Sequence, residues 1–477
     1  MVKQMNVKKK ILFLIPPNNQ QLVAERERNV PVDSGSYPPI GLMYIATFLK
    51  QKIKENIDVR IIDCTLGSWS YKRFEKMILS YKPDVVCITA LTPLILDTKI
   101  SLEIIKKVLP RCITVIGGPH VTSFQEDSLC YPEIDYAIMG YGEHSFYQLF
   151  NALFNKGNIE DVNGLLYKKG GKVMKNRLDY GINLDDLPIP NRNLVKYRSY
   201  RWPLGTKKIM ATVISSRGCP FQCTFCNSPD KIYKERSAEN IIKEIKYLYN
   251  LGVREIFFFD DIFNVNNKRL VEFCRLLRRN NLKISWSFRG RVSNINEKVM
   301  KELKKANCER IHFGIEAHTD EVLKKLKKDI TIEQVKKAVR LCHKYRINCA
   351  GSFMINLPGD SKKNILDRIK FAISLKLDYL QIGVLIAYNH TEIFREGAKI
   401  GFWSNDLWLD YIKNPTNDFK APIWNNGISR KELDSLVKHS LKKFYLRPSY
   451  VLQRLRKVHS FDELMKYFSG AFKLIKY

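Results

Sequence analysis

The chain has 477 residues, too many for one ordinary hydrophobic core, and its length implies two to four domains. Hydrophobic residues make up 45% and charged residues 27%, with no apolar stretch long enough to span a bilayer, which argues for a globular protein and against a transmembrane one. A formal net charge of +32 favours an anionic partner such as nucleic acid, an acidic membrane surface, or a phosphorylated or carboxylated substrate, but lysines spread over many helices give the same excess with no partner at all.

The first ten residues are basic, and the apolar run 11–17 that follows is too short for a signal peptide, so 11–15 reads as a buried strand and the chain is expected in the cytoplasm. Up to about residue 151, strand-length runs at 11–15, 59–62, 85–89, 114–116 and 136–139 alternate with helix-length segments at 41–52, 71–81, 96–108 and 144–155. That alternation predicts a parallel sheet covered on both faces, with ligands bound beyond the carboxyl ends of its strands. The residues expected there are Pro16-Pro17-Asn18, Asp63-Cys64-Thr65, Ala90-Leu91-Thr92, Gly117-Gly118-Pro119-His120 and Gly140-Tyr141-Gly142-Glu143. Their small side chains let a bulky ligand approach the backbone. Residues 161–206 read as a connector, with Gly170-Gly171 turning between two short strands and the helix-breaking run Asp185-Asp186-Leu187-Pro188-Ile189-Pro190 after them.

A second series runs over 207–400. Its strands are expected at 210–215, 255–259, 284–288, 310–315, 348–355 and 380–385, with helices at 238–250, 267–279, 296–306, 331–345 and 362–375 between them. Six βα units predict a partial (β/α)6 barrel whose active site lies at the carboxyl ends of the strands. Residues 401–477 read as a helical, basic C-terminal region without clear strands.

Of eleven cysteines, eight are expected to pack singly as small hydrophobes, and none to form a disulfide framework in a reducing compartment. Cys219, Cys223 and Cys226 differ. They fall in Cys219-Pro220-Phe221-Gln222-Cys223-Thr224-Phe225-Cys226, directly after a strand and a turn at Gly218. Iron–sulfur clusters need thiolate ligands, and this spacing lets one loop wrap three corners of a 4Fe–4S cube, leaving one iron open to a small molecule. A zinc site or chance clustering are the alternatives, but zinc requires a fourth His or Cys at short range, and Cys274 and Cys308 are far along the chain.

The cysteine spacing resembles the radical S-adenosylmethionine (SAM) superfamily, in which the open iron binds SAM and reductive cleavage gives a 5′-deoxyadenosyl radical. The resemblance covers about 209–393. It places Phe225 at the family's aromatic position, Asp260 and Asp261 where polar residues meet the SAM amino group, and Glu316 at the end of the strand that binds the SAM ribose. Phe353-Met354-Ile355-Asn356-Leu357-Pro358-Gly359-Asp360 matches the stretch near the adenine. Helix capping or surface ion pairing is the plainer role for the three acids.

Residues 9–154 add a second resemblance. Tyr37-Pro38-Pro39-Ile40-Gly41-Leu42, Gly117-Gly118-Pro119-His120 and Gly140-Tyr141-Gly142-Glu143, in that order, are similar to the cobalamin-binding, Rossmann-like (flavodoxin-like) domain of cobalamin-dependent radical SAM enzymes. That class includes carbon and phosphorus methyltransferases and the anaerobic magnesium-protoporphyrin ester cyclase. The resemblance implies cobalamin contacts at Thr65, Thr92, Gly117, Gly118, His120, Gly140, Gly142 and Glu143, within a domain over 1–160. Thr65 stands where many cobalamin proteins carry a cobalt-ligating histidine, and Gly67 comes one residue early, so the loop after Asp63 offers cobalt no imidazole. His120 is expected to line the pocket rather than bind metal. A flavodoxin-like domain that has lost cobalamin remains an alternative. A second departure is Tyr388-Asn389-His390-Thr391, where relatives carry Pro-Gly-Thr; His390 is either an acid–base group or a loop residue with no role.

The class implies a radical taken from SAM, methyl transfer through cobalamin to an unactivated carbon, and both cofactors facing one pocket. A cyclase-like oxidation or rearrangement is the second outcome within the class. A nucleic-acid-binding or -modifying iron–sulfur protein is the reading from another class, motivated by charge alone, since no RNA-binding signature is present. The expected partners are a small-molecule, lipid or peptide substrate and an electron donor such as flavodoxin or ferredoxin. The basic tail around Phe444-Tyr445-Leu446-Arg447-Pro448 either caps the barrel or rests on a membrane surface.

Overall fold

Runs of β-branched and leucine residues, apolar on both sides of the chain, place two parallel sheets in the protein. A computed structural model describes residues 8–22, 36–53, 56–202, 205, 209–228, 230–455 and 465. Residues 1–7 of the basic start, and the end of the basic tail, lie outside them. The described residues divide into one unit of 8–22, 36–200 and 405–420 and a second of 201–404 and 421 onward.

In the first unit the elements alternate as expected: β1 (Lys9–Ile15), α1 (Ile40–Lys52), β2 (Ile57–Asp63), α2 (Tyr71–Tyr81), β3 (Val85–Thr89), α3 (Ile95–Val108), β4 (Ile113–Gly117), α4 (Pro119–Phe124), β5 (Tyr136–Ile138) and α5 (Gly142–Phe154). Strands β2-β1-β3-β4-β5 pair in parallel in that spatial order, which is the flavodoxin-like arrangement. Ile11, Leu12, Phe13 and Leu14 of the central β1 are all essentially inaccessible because helices cover both faces. Met43, Ala46 and Leu49 of α1 and Phe146 and Leu149 of α5 fill one of these layers. Residues 161–200, expected as a connector, extend this sheet. Strands β6 (Leu165–Lys169) and β7 (Lys172–Lys175) form a hairpin that pairs antiparallel with β5. Leu165 and Leu166 are buried there, so the segment covers an edge that β5 would otherwise leave open.

The second unit holds β8 (Met210–Val213), the short strands β9 (Ser216–Arg217) and β10 (Lys234–Glu235), α6 (Ala238–Asn250), β11 (Glu255–Phe258), α7 (Asn267–Arg279), β12 (Ser285–Gly290), α8 (Glu297–Lys305), β13 (Cys308–Glu316), α9 (Asp320–Lys325), α10 (Ile332–Lys344), β14 (Asn348–Ile355), α11 (Lys362–Ser374), β15 (Tyr379–Val384) and α12 (Glu392–Lys399). The six long strands pair in parallel in chain order from β8 to β15, the partial barrel that six βα units predict. Alternation along β13 puts Ile311, Phe313 and Ile315 on one face, all buried, and Arg310, His312, Gly314 and Glu316 on the other. Phe258, Phe263, Phe273, Trp286 and Phe288 interlock at ring separations of 4.3–5.9 Å beneath β11 and β12.

The C-terminal region is helical, as expected, but is shared. Helix α13 (Leu407–Lys413) belongs to the first unit, where the Tyr131 hydroxyl donates to the Ile412 carbonyl. Helices α14 (Arg430–Tyr445) and α15 (Pro448–Leu455) pack on the last barrel strand. Tyr445 Oη bonds both the Leu380 amide (2.9 Å) and its carbonyl (2.8 Å), and Arg454 pairs with the buried Asp378 at 2.9 Å. The tail therefore caps the barrel at β15. Among the described residues no helix is long and apolar enough to cross a membrane.

Asp378 also accepts the Cys349 amide, so the carboxylate stays in place when its cation is removed. Arg454→Met should cost about 3–5 kcal/mol by stranding that charge, measured as a loss of unfolding free energy in urea.

Candidate active site

The three-cysteine segment is an excursion between β9 and β10, whose antiparallel pairing of Arg217 with Lys234 and of Ser216 with Glu235 closes its base. Gly218 leads into it at φ +77°, and a Cβ there would lie 2.3 Å from the Ile232 carbonyl oxygen, so only glycine fits. The Cys219 amide donates to Asp230 O (3.0 Å) and the Cys226 amide to Cys223 O (3.1 Å). Thr224 fixes the middle of the loop, its amide donating to Leu326 O and its carbonyl accepting from the Ile393 amide. Cys219 and Cys223 are half-buried and Cys226 is exposed. Burial raises the pKa of the Cys219 and Cys223 thiols; around Cys223, Lys328 and Arg291 pull the other way.

Asp260, expected at the SAM amino group, is already bonded within the chain. It is buried and accepts from Ser215 N (2.6 Å), Ser215 Oγ (2.5 Å) and Ser216 Oγ (2.8 Å). Burial raises its pKa, opposed by Arg269 and by the serine hydrogen bonds. Arg269 in turn holds Ser215 O (2.9 Å), Phe263 O (3.0 Å) and Glu235 (3.2 Å). Asp260 thus ties the end of β11 to the start of the cysteine loop, and its neighbour Asp261 is the exposed one.

Glu316 ends β13 at φ +68°, after a register shift against β14. Its side chain folds back over Gly314, where a Cβ would lie 2.4 Å from Oε1, and Lys328 Nζ donates to Oε1 at 3.0 Å. Lys328 also lies 5.7 Å from the Phe225 ring centroid. Lys328 and Arg291 therefore link three expected site residues, Cys223, Phe225 and Glu316, and sequence reasoning passed over both; Arg289-Gly290-Arg291 closing a strand was the available signal. Arg291 stacks on Phe221 at 3.6 Å and donates to the carbonyls of Lys328 and, at 2.8 Å, of Asp329. The turn after β14 is pinned as well. Asp360 accepts the Leu357 amide at 2.9 Å and pairs twice with Arg368 (2.7 and 2.8 Å), and Asn356 donates to Trp424 O at 2.8 Å. His390 is exposed at φ +64° and contacts Asn389.

In the first unit, Thr65 caps its own turn, its amide and hydroxyl both donating to Asp63 Oδ1 at 2.9 and 2.6 Å. Thr92 Oγ1 and His120 Nδ1 meet at 3.1 Å. His120 is 1% exposed, and burial holds its pKa down to about 3, so the ring is neutral and sits behind the surface rather than on it. Gly117 ends β4 and Gly118 presses on Ala90 O, while Gly140 and Gly142 back onto Leu178 and Ile45; these glycines serve chain packing before any ligand. Glu143 is buried in the first turn of α5. Asp97 was not foreseen. It is buried, and accepts from the amides of Asn19 (2.9 Å) and Gln20 (3.0 Å) and from Tyr71 Oη (2.7 Å), holding the loop after β1 in place.

Among the described residues no three His, Cys, Asp or Glu side chains converge on one metal ion. In a 4Fe–4S cluster each cysteine takes a different iron, so three thiols on one loop suffice. The donor set fits a cluster in a second respect: buried cations stand beside Cys223 with sulfur for company.

Two outcomes follow from this geometry. Gly218→Ala should fold but lose most of its capacity to take up iron, measured by iron and sulfide content after anaerobic reconstitution. Because folded His120 stays neutral while the unfolded imidazole protonates below about pH 6.5, its stabilising contribution is complete above that pH and is lost on acidification, by about 2 kcal/mol at pH 5. Denaturant titrations at pH 7 and pH 5 should show that loss, and His120→Gln should remove it.

Comparison with known proteins agrees with both halves of the chain. Residues 213–372 match the model of the radical SAM superfamily, and residues 32–150 that of the B12 binding domain. An uncharacterized methyltransferase of Pyrococcus horikoshii is 32% identical over 463 residues, 95% of this chain and 96% of that protein. The anaerobic magnesium-protoporphyrin IX monomethyl ester cyclase of Rubrivivax gelatinosus is 27% identical, over 92% of this chain and 79% of its own. Among solved structures, the radical SAM methyltransferase TsrM of Kitasatospora setae superposes with a TM-score of 0.68 at 18% identity, covering 83% of this chain and 78% of that one. The cobalamin-dependent SAM radical enzyme OxsB superposes with a TM-score of 0.71 at 16% identity, covering 98% of this chain and 72% of its own. These two share its fold. With a B12-binding domain followed by a radical SAM domain, and a relative matched along its whole length, the chain belongs to the cobalamin-dependent radical SAM family.

Proposed function

We propose that this enzyme methylates an unactivated carbon of a small-molecule, lipid or peptide substrate. The observation that carries the reading is the anchored loop of Cys219, Cys223 and Cys226 in a chain that also holds a B12-binding domain. The family's cofactors are a 4Fe–4S cluster, SAM and cobalamin. The chemistry they supply when bound is reductive cleavage of SAM to a hydrogen-abstracting 5′-deoxyadenosyl radical and delivery of a methyl group from cobalamin.

The chain's own residues hold and orient these groups. Cys219, Cys223 and Cys226 each give one iron a sulfur, and burial keeps the thiols of Cys219 and Cys223 protonated until metal displaces the proton. Glu316, fixed through Oε1 by Lys328, presents Oε2 to the ribose hydroxyls of SAM. Asp261, exposed beside Asp260, accepts from the SAM amino group, while Asp260 positions the loop. Phe225 flanks the nucleotide. In the first unit the loops after β1 to β5, including Thr65, Thr92 and the turns at Gly117-Gly118 and Gly140 to Glu143, hold cobalamin. Thr65, bonded to Asp63, stands in this loop in place of a histidine, so the loop would offer bound cobalamin no imidazole. An electron donor of the flavodoxin or ferredoxin class serves the cluster.

With SAM labelled in its methyl group and cobalamin supplied, label should appear in the product. 5′-Deoxyadenosine formed with no label in product or cobalamin would replace methylation by a cyclase-like oxidation, the activity named for the Rubrivivax relative. Glu316→Ala should raise the KM for SAM about tenfold or more, the worth of a hydrogen bond to a charged group, with the cluster's absorption spectrum unchanged.

A further inference from the structure

Arg291 is 5% exposed, and among the described residues no carboxylate lies within ion-pairing distance of it. Its guanidinium rests on the Phe221 ring, which lies between Cys219 and Cys223 in the loop, and donates to the backbone carbonyls of Lys328 and Asp329. Asp329 acts on Arg291 as a charge from beyond ion-pairing distance, and its backbone carbonyl accepts from the guanidinium. The other buried arginines around the barrel have carboxylates: Arg236 with Glu244, Arg269 with Glu235, Arg368 with Asp360 and Arg454 with Asp378. A buried cation without a counter-charge is costly, and carbonyl dipoles and a ring face offset only part of that cost. The strand end that carries it is held firmly, because Asn264 both donates to Arg291 O (3.0 Å) and accepts from its amide (2.8 Å).

We propose that Arg291, packed against the cysteine loop at Phe221, is the built-in counter-charge of the iron–sulfur cluster and raises its reduction potential. The inference rests on the cluster reading above. A cluster bound by three thiolates is anionic, and taking up one electron from a low-potential donor adds a further negative charge. A fixed cation stabilises the reduced form more than the oxidised one, and a buried one does so with little screening by salt. Lys328, which also lowers the Cys223 thiol pKa, adds to the same field but shares its charge with Glu316. The charge of Arg291 acts on Cys219 as well as Cys223, and at Cys219 Asp261 opposes it.

The test is a dithionite-poised redox titration of the reconstituted wild type, Arg291→Lys and Arg291→Gln, followed by electron paramagnetic resonance of the reduced cluster. Arg291→Gln should hold the cluster with about a tenfold smaller reduced-to-oxidised ratio at a given potential, a midpoint about 59 mV more negative. Arg291→Lys, which keeps the charge, should stay close to the wild type. A fully loaded Arg291→Gln cluster titrating at the wild-type midpoint overturns the proposal while leaving the cluster assignment intact. If Arg291→Gln takes up no iron, its cluster-free fold decides: a melting curve like that of the cluster-free wild type supports a charge kept for the cluster, and an unfolded apoprotein overturns it, since the arginine would then serve the fold. A wild type that binds no iron would instead remove the function proposed above.

Discussion

The loop that offers three sulfurs has little regular structure of its own, so everything downstream depends on how its base is fixed. That base is held by one buried carboxylate. Asp260 takes the Ser215 amide and two serine hydroxyls, and Arg269 grips the same residues from the other side. Three hydrogen bonds to one charged group in a water-poor environment are far stiffer than the two-residue pairing of β9 with β10 could be. The loop is then clamped again at its middle, where Thr224 bridges Leu326 and Ile393. A soft cofactor-binding loop becomes a fixed one because each of its ends is bonded to a barrel element.

Strand ends at this mouth share a device. Glu316 and Asn356, each at or just after a barrel strand, both adopt positive φ. Non-glycine residues rarely do so, and the cost is of order 1–3 kcal/mol each unless surroundings compensate. Here they do: Lys328 holds the Glu316 carboxylate, and Trp424 and Asn426 hold the Asn356 amide. The turned backbone redirects both side chains at the point where the strands end. Strain is retained where the orientation of a side chain matters more than stability.

Much of this was legible in the sequence. Alternating apolar runs gave both sheets and the longer helices between their strands, though not the short helices α4, α9 and α12, and the cysteine spacing gave the loop, because both signals are local in the chain. What was missed depends on long-range pairing. The two short strands around Gly170-Gly171 were expected, but their pairing with β5 follows only once that strand's open edge is known to need a partner. Asp260 and Asp261 are indistinguishable as a pair of acids, and only burial separates the anchor from the exposed group. Arg291 and Lys328 look like two of 80 basic residues in a chain with a large positive excess. Their importance lies in where they are buried, and composition hides that.

The same reasoning applies to the glycines and the histidine of the first unit. Taken in order they resemble a cobalamin pocket, and family membership supports that resemblance. Yet Gly118 and Gly140 are already required by their backbone conformation, Gly142 packs on Ile45, and His120 is buried against Thr92 and Phe124. These residues shape the ends of the strands from below, setting the height of the floor on which a ligand rests. The exposed positions of the same loops are others, Thr65 and Leu91 among them. A binding motif is in this sense first a packing motif: the chain must close tightly behind the loops before the loops can hold a flat surface open in front.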